Sequence, residues 1–200
     1  MADVEFLFDF GSPNAYLTHR VIPGIEARAG IAFRYRPVLL GGLFKLTNNQ
    51  SPMMAFAAIP NKIAYEQLEM RRFIERHKLG AFKMNPFFPV NTLLLMRMAV
   101  AADMDGALAP YAEAAFHHMW EAPKKMDDPA IAVQALKDSG LDGERLMARA
   151  QEGDVKAKLV ADTEAAAKRG AFGIPTFFVG DDMYFGKNTL EQVEEAAKAR

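Results

Sequence analysis

The sequence predicts an α/β fold whose single sheet is assembled from the two ends of the chain, with a long helical stretch between them. Three observations carry that expectation. Runs of strand-forming apolar residues occur near the termini, at 4–10, 31–38 and 175–185. Between about Leu40 and Gly170 the apolar residues recur at helical spacing instead. The order of elements, βαβ at the start and ββα at the end, suits one sheet interrupted by an insertion.

Each element has a local reason. Val4 to Phe10 is short and almost continuously apolar, as a buried parallel-type strand is. Gly11-Ser12-Pro13 breaks it, with serine a good N-cap and proline suited to the first helical position. Leu17, Val21, Ile22 and Ile25 then follow at helical spacing up to a stop at Gly30. Ile31 to Val38 predicts a second strand, with Phe33 and Tyr35 opposed to Arg34 and Arg36. An amphipathic helix is expected over 61–78, strongly apolar ones over 92–102 and 107–120, and three more opened by Asp128-Pro129, Asp142 and Asp154. Pro175 to Val179 and Met183 to Phe185 predict two strands around a turn at Gly180-Asp181-Asp182. Asn188 with Glu191 resembles a capping box that opens a last helix from Thr189. This is the order of a thioredoxin-like fold (βαβ…ββα) with an inserted all-helical domain. Residues 1–40 and 170–200 make the sheet unit and 41–169 the insert, with crossings near Gly41-Gly42 and Gly170 to Gly173.

Composition excludes several functions. The chain of 200 residues has a net charge of -1 and scattered basic residues, which leaves no electrostatic footprint for nucleic acid. It has no cysteine, so disulfides, thiolate metal sites and thiol chemistry by the protein itself are out. Any reacting sulfur must arrive on a ligand. Met1 to Phe10 carries Asp3 and Glu5 where a signal peptide would be basic, and a cytoplasmic protein without membrane segments is expected. His117 and His118 are adjacent, so on a helix they point about 100° apart and cannot share a metal from one face. His19 and His77 are single and expected to be exposed, and no metal site is expected. The methionines read as core filler and adaptable pocket wall.

Two turns stand out chemically. At Ser12 a strand ends and a helix begins, so free N–H groups and the positive end of the helix dipole face the space above the strand tip. A serine there either caps the helix or adds a donor to an anion site that favours a thiolate. Gly173-Ile174-Pro175-Thr176 is the second turn. Its proline either begins a strand in the ordinary trans form, or is cis and leaves the Ile174 backbone free to pair with a peptide-like ligand. In a thioredoxin-type sheet these turns meet at one end. Asp9 reads equally as a buried acid orienting the site or as an ordinary strand-end hydrogen-bonding group.

Asp9-Phe10-Gly11-Ser12-Pro13 with Tyr16, together with Gly170-Ala171-Phe172-Gly173-Ile174-Pro175-Thr176 and Phe185-Gly186, resembles the signatures of the kappa-class glutathione transferases and the 2-hydroxychromene-2-carboxylate isomerases. The resemblance covers essentially the whole chain, the helical insert included. It implies glutathione as cofactor, its thiol near Ser12 and its peptide backbone against Ile174 and Pro175. By position it implies further glutathione contacts from Pro13, Asn14, Asn49, Lys62, Lys187 and Asn188, although many of the transferases carry Ser-Asp where this chain has Lys187-Asn188. The carboxylates of glutathione suit such cationic and amide donors. Phe88 and Asn91, in the loop 86–92, are expected to wall a substrate pocket, and Asn91 or Lys62 to steady a developing enolate.

The leading expectation is therefore a glutathione-dependent isomerase that interconverts 2-hydroxychromene-2-carboxylate and trans-o-hydroxybenzylidenepyruvate in the degradation of aromatic hydrocarbons. Ser12 would hold the cofactor sulfur as the thiolate nucleophile. The alternative is a kappa-like glutathione transferase acting on another electrophile, and a third reading is a non-catalytic thioredoxin-fold binding protein. The resemblance also implies a homodimer.

Overall fold

The computed structural model describes residues 3–200, so Met1 and Ala2, the start of the acidic N-terminal run, lie outside the described residues. Strand β1, Asp3–Phe8, leads into helix α1, Pro13–Ala29, and strand β2, Ala32–Pro37. Eight helices follow: α2 (Leu40–Thr47), α3 (Pro52–Ala55), α4 (Pro60–Arg76), α5 (Leu93–Met104), α6 (Leu108–Trp120), α7 (Pro129–Asp138), α8 (Gly143–Arg149) and α9 (Gly153–Lys168). The chain then returns to the sheet as β3, Thr176–Val179, and β4, Asp182–Phe185, and ends in a 3-10 turn, Lys187–Thr189, and helix α10, Leu190–Lys198.

The sheet order is β2-β1-β3-β4. β1 pairs parallel with β2 and antiparallel with β3, with Phe6 opposite Tyr35 on one side and Phe177 on the other. β1 is thus a central strand, which explains why Phe6, Leu7 and Phe8 are all buried and the run is apolar rather than alternating. Helices tie to the sheet through aromatic contacts: the Phe116 ring of α6 lies 4.8 Å from Phe10 and 5.9 Å from Phe8, both edge-on or tilted. Trp120 at the end of α6 is fully buried and its Nε1 donates to the Phe10 carbonyl at 2.9 Å.

Several local expectations are corrected. Gly41-Gly42 is not a crossing between modules but lies inside α2. Asp154 does not cap α9: Glu152 holds the N-cap position, and Asp154 sits in the first turn, accepting from Val155 N–H. The capping box at Asn188 does not form, because a 3-10 turn occupies Lys187–Thr189 and the Thr189 hydroxyl donates back to Gly186. His19 is not exposed; it stacks on Phe116 and bridges Tyr35 and Glu113 at 2.8 and 3.0 Å. His77 is half-buried against Phe73 rather than exposed. Asp128 and Asp142 cap α7 and α8 through their carboxylates, as their sequence positions suggest.

Candidate active site

The turn after β1 is built around Asp9, which is fully buried. Its Oδ1 accepts from Gly11 N–H and its Oδ2 from Leu40 N–H, both at 2.8 Å, and the Thr92 side chain lies beside it. One side chain therefore pins the first residue of α2 to the β1–α1 turn. Burial pushes the Asp9 carboxyl above the ordinary 3.8, against the hydrogen bonds that lower it. A Cβ at position 11 would come within 3.2 Å of Thr92 and 3.3 Å of Asp9, so those side chains would have to give way by a few tenths of an ångström to admit one.

Ser12 stands on this platform. Its N–H donates to the Asp9 carbonyl at 3.1 Å. Its Oγ accepts from Ala15 N–H at 3.2 Å, an N-cap for α1, and donates to the Ile174 carbonyl at 3.2 Å. The two turns singled out in the sequence, 162 residues apart, are thus joined by one hydroxyl. The Ile174–Pro175 peptide bond is cis, and the Ile174 N–H has no protein partner among the described residues. Gly173 makes room for Phe185, whose ring would sit 2.9 Å from a Cβ there. Phe185 in turn packs on Phe172 at 4.5 Å, both partly exposed beside the turn.

The remaining expected residues divide. Pro13 and Asn14 are the first two residues of α1, and the Asn14 Oδ1 is buried without a hydrogen-bond partner. Asn49 reaches the second turn: its Nδ2 donates to the Phe172 carbonyl at 2.9 Å, while Oδ1 accepts from Gln50 N–H. Lys62 is exposed on α4, its ammonium 4.3 Å from the Phe56 ring and 3.8 Å from Glu66. Lys187 already has a partner. Its side chain is 5 % exposed, lies over Phe73 and pairs with Glu69 of α4, so a ligand carboxylate would have to compete with Glu69 for its ammonium. Asn188 is exposed in the 3-10 turn. Phe88 packs 6.1 Å from Trp120 after a loop whose Phe88–Pro89 bond is also cis. The Asn91 side-chain Oδ1 accepts from Leu93 N–H at 3.0 Å, which leaves its NH2 group as the part free to donate. Tyr16 spends its hydroxyl on Glu121, and burial pushes it up to about 12.

Sequence reasoning missed three things: the Lys187–Glu69 pair, the Trp120 tie to Phe10 and the orphaned Asn14 oxygen. Trp120 was detectable in principle, as the only tryptophan in the chain at the end of an apolar helix. Among the described residues no group of three or more His, Asp or Glu is placed to hold a metal. No helix there is long and apolar enough to cross a membrane.

A four-stranded thioredoxin-type sheet, with a helix N-terminus and a proline-led turn meeting at one end, defines the class. The chain belongs to the DSBA-like thioredoxin domain family, whose model matches residues 3–198. It is 27% identical over 199 residues to the 2-hydroxychromene-2-carboxylate isomerase of Pseudomonas sp. (strain C18), covering 96% of this chain and 89% of that protein. To glutathione S-transferase kappa 1 of Rattus norvegicus it is 26% identical over 201 residues, 94% of this chain and 87% of the relative. Among solved structures, a 2-hydroxychromene-2-carboxylate isomerase superposes with a TM-score of 0.82 at 23% identity, over 97% of this chain and 93% of that one. A probable DsbA oxidoreductase from Streptomyces coelicolor superposes at 0.70 and 19% identity, over 100% and 91%. At these identities the two superpositions show the shared fold.

Proposed function

We propose that the chain is a glutathione-dependent isomerase interconverting 2-hydroxychromene-2-carboxylate and trans-o-hydroxybenzylidenepyruvate. The observation that carries the reading is the Ser12 hydroxyl, placed between the N-terminus of α1 and the Ile174 backbone in a chain without cysteine. The residues fit a tripeptide thiol on two counts. The buried Asn14 oxygen lacks a donor, which a ligand amide or ammonium group supplies. The unpaired Ile174 N–H suits an extended peptide backbone.

Glutathione, when bound, supplies the thiol nucleophile that the chain lacks. Ser12 then turns its O–H from the Ile174 carbonyl toward that sulfur, and the N-terminus of α1 adds its positive end, so both favour the anionic form. Asn49 and Lys62 serve the peptide and its carboxylates, with Asn188 ahead of Lys187, for whose ammonium Glu69 competes. Phe88 and the NH2 of Asn91 face the second substrate in this proposal, Asn91 donating to the oxygen on which charge develops. The pathway is breakdown of aromatic hydrocarbons, and the working form is a cytoplasmic homodimer.

Titration of the protein with glutathione, followed by thiolate absorbance in the ultraviolet, tests the reading. Absorbance that rises in the native protein and is lost in Ser12→Ala is expected; no binding, or binding indifferent to Ser12→Ala, would sink it. The full-length similarity to a kappa-class transferase favours a second reading, release of a stable conjugate. Supplying the chromene with and without glutathione separates the two, since the isomerase consumes no glutathione.

A further inference from the structure

A cleft of about 350 Å3 opens between α2, α5 and α9, at the small end of ligand-pocket sizes (roughly 300–1,000 Å3). None of the residues assigned above to glutathione or its partner substrate lines it. Its walls are apolar and come from one face of each helix: Leu39 and Leu46, Leu93, and Leu159 with Val160. Three helices also bring one cation each, Lys45 from α2, Arg97 from α5 and Lys156 from α9, against a single acid, Glu164. Among the described residues none of these cations has a carboxylate within ion-pair distance. Arg97 is half-buried and is the only cation in the otherwise apolar first two turns of α5. The buried Thr163 hydroxyl is already engaged, accepting from Leu39 N–H and donating to the Leu159 carbonyl, so its proton is not available to a ligand.

We propose that this cleft binds a small organic anion with an apolar body, a monocarboxylate held by Arg97 with Lys45 and Lys156 and covered along its length by Leu46, Leu93 and Val160. An apolar trough ringed by a net positive charge selects against neutral hydrocarbons and against dianions without apolar surface. The guanidinium of Arg97 is the group suited to bidentate pairing with a carboxylate. The site is separate from the proposed glutathione site and does not depend on it.

Isothermal titration of the full chain with biphenyl-4-carboxylate and with decanoate tests the proposal and distinguishes an aromatic from an aliphatic body. Saturable one-site binding of at least one is expected, with the neutral biphenyl-4-carboxamide or decanamide roughly tenfold weaker or worse. Arg97→Gln should weaken binding by a similar factor and Arg97→Lys by less. Val160→Glu puts a negative charge at an exposed position on the lip and should abolish binding while leaving the circular dichroism spectrum unchanged. Ser12→Ala should leave the affinity as it is. The proposal fails if neither acid binds, if the amides bind equally well, if Val160→Glu still binds, or if Ser12→Ala removes binding.

Discussion

Ser12 has two duties that one substitution separates. As a cap it satisfies Ala15 N–H, and as a donor it bridges to Ile174. Ser12→Ala should cost about 1 kcal/mol of stability, the usual worth of a helix cap, measured by urea unfolding. A larger share of glutathione binding than of stability should disappear, because the sulfur loses its donor outright. Asp9 is the complementary case. Its native pKa lies above 3.8, so the native state holds a proton more tightly than the unfolded chain. The stability it contributes is present below that value and is lost as pH rises through the raised native pKa. Asp9→Asn removes this dependence, and the variant's unfolding free energy should lack the decline with rising pH that the parent shows above about 3.8. Against the charge burial it relieves at neutral pH stands the loss of one acceptor, worth about 1–3 kcal/mol, since its NH2 would face the Leu40 or Gly11 donor. Ser12 and Asp9 were legible because each sits where an apolar strand stops and a proline restarts the chain. Lys187 was not: its partner Glu69 lies 118 residues away, and no local pattern marks either residue.

At the scale of elements, the existence of the longer helices was readable, that of the short α2 and α3 was not, and ends were less legible. The 3.6-residue spacing and the caps at Ser12, Asp128 and Asp142 are local properties, and the structure keeps them. Asp154 and Asn188 failed as caps because the chain enters those helices earlier or through a 3-10 turn, a matter of tertiary approach angle rather than of sequence. Glycine makes the distinction measurable. Gly30 closes α1 at φ +66°, with nothing within 4 Å of a Cβ, so Gly30→Ala meets only backbone strain and should destabilise by about 1–2 kcal/mol. Gly41 is inside α2, exposed, with equally open space around it. Gly41→Ala should therefore stabilise by about 0.5–1 kcal/mol. Opposite shifts in thermal midpoint are the expected result, and a loss at position 41 would mean that α2 is not helical there in solution.

For the molecule as a whole, the proposed division into 1–40 with 170–200 and 41–169 describes the path of the chain better than it describes the core. One buried cluster contains Phe6 and Phe177 from the sheet, Phe116 and Trp120 from α6, Val100 from α5 and Val193 from α10. Leu39 and Leu40 are held by Thr163 and Asp9 where the chain leaves the sheet, and Trp120 holds Phe10 where α6 returns to it. The two units thus share apolar surface that neither could cover alone, and exposing it at a separate step would cost roughly 25 cal/mol for each Å2. Heat should therefore unfold both together, in one calorimetric peak whose van't Hoff and calorimetric enthalpies agree. Trp120→Phe keeps much of the ring's contact but strips the donor from the Phe10 carbonyl, for about 1–3 kcal/mol. That variant should melt earlier and still in one step, because the aromatic stack of Phe8, Phe10 and Phe116 continues to join the units. Two resolved peaks, in the parent or the variant, would instead make the helical insert a domain with a stability of its own.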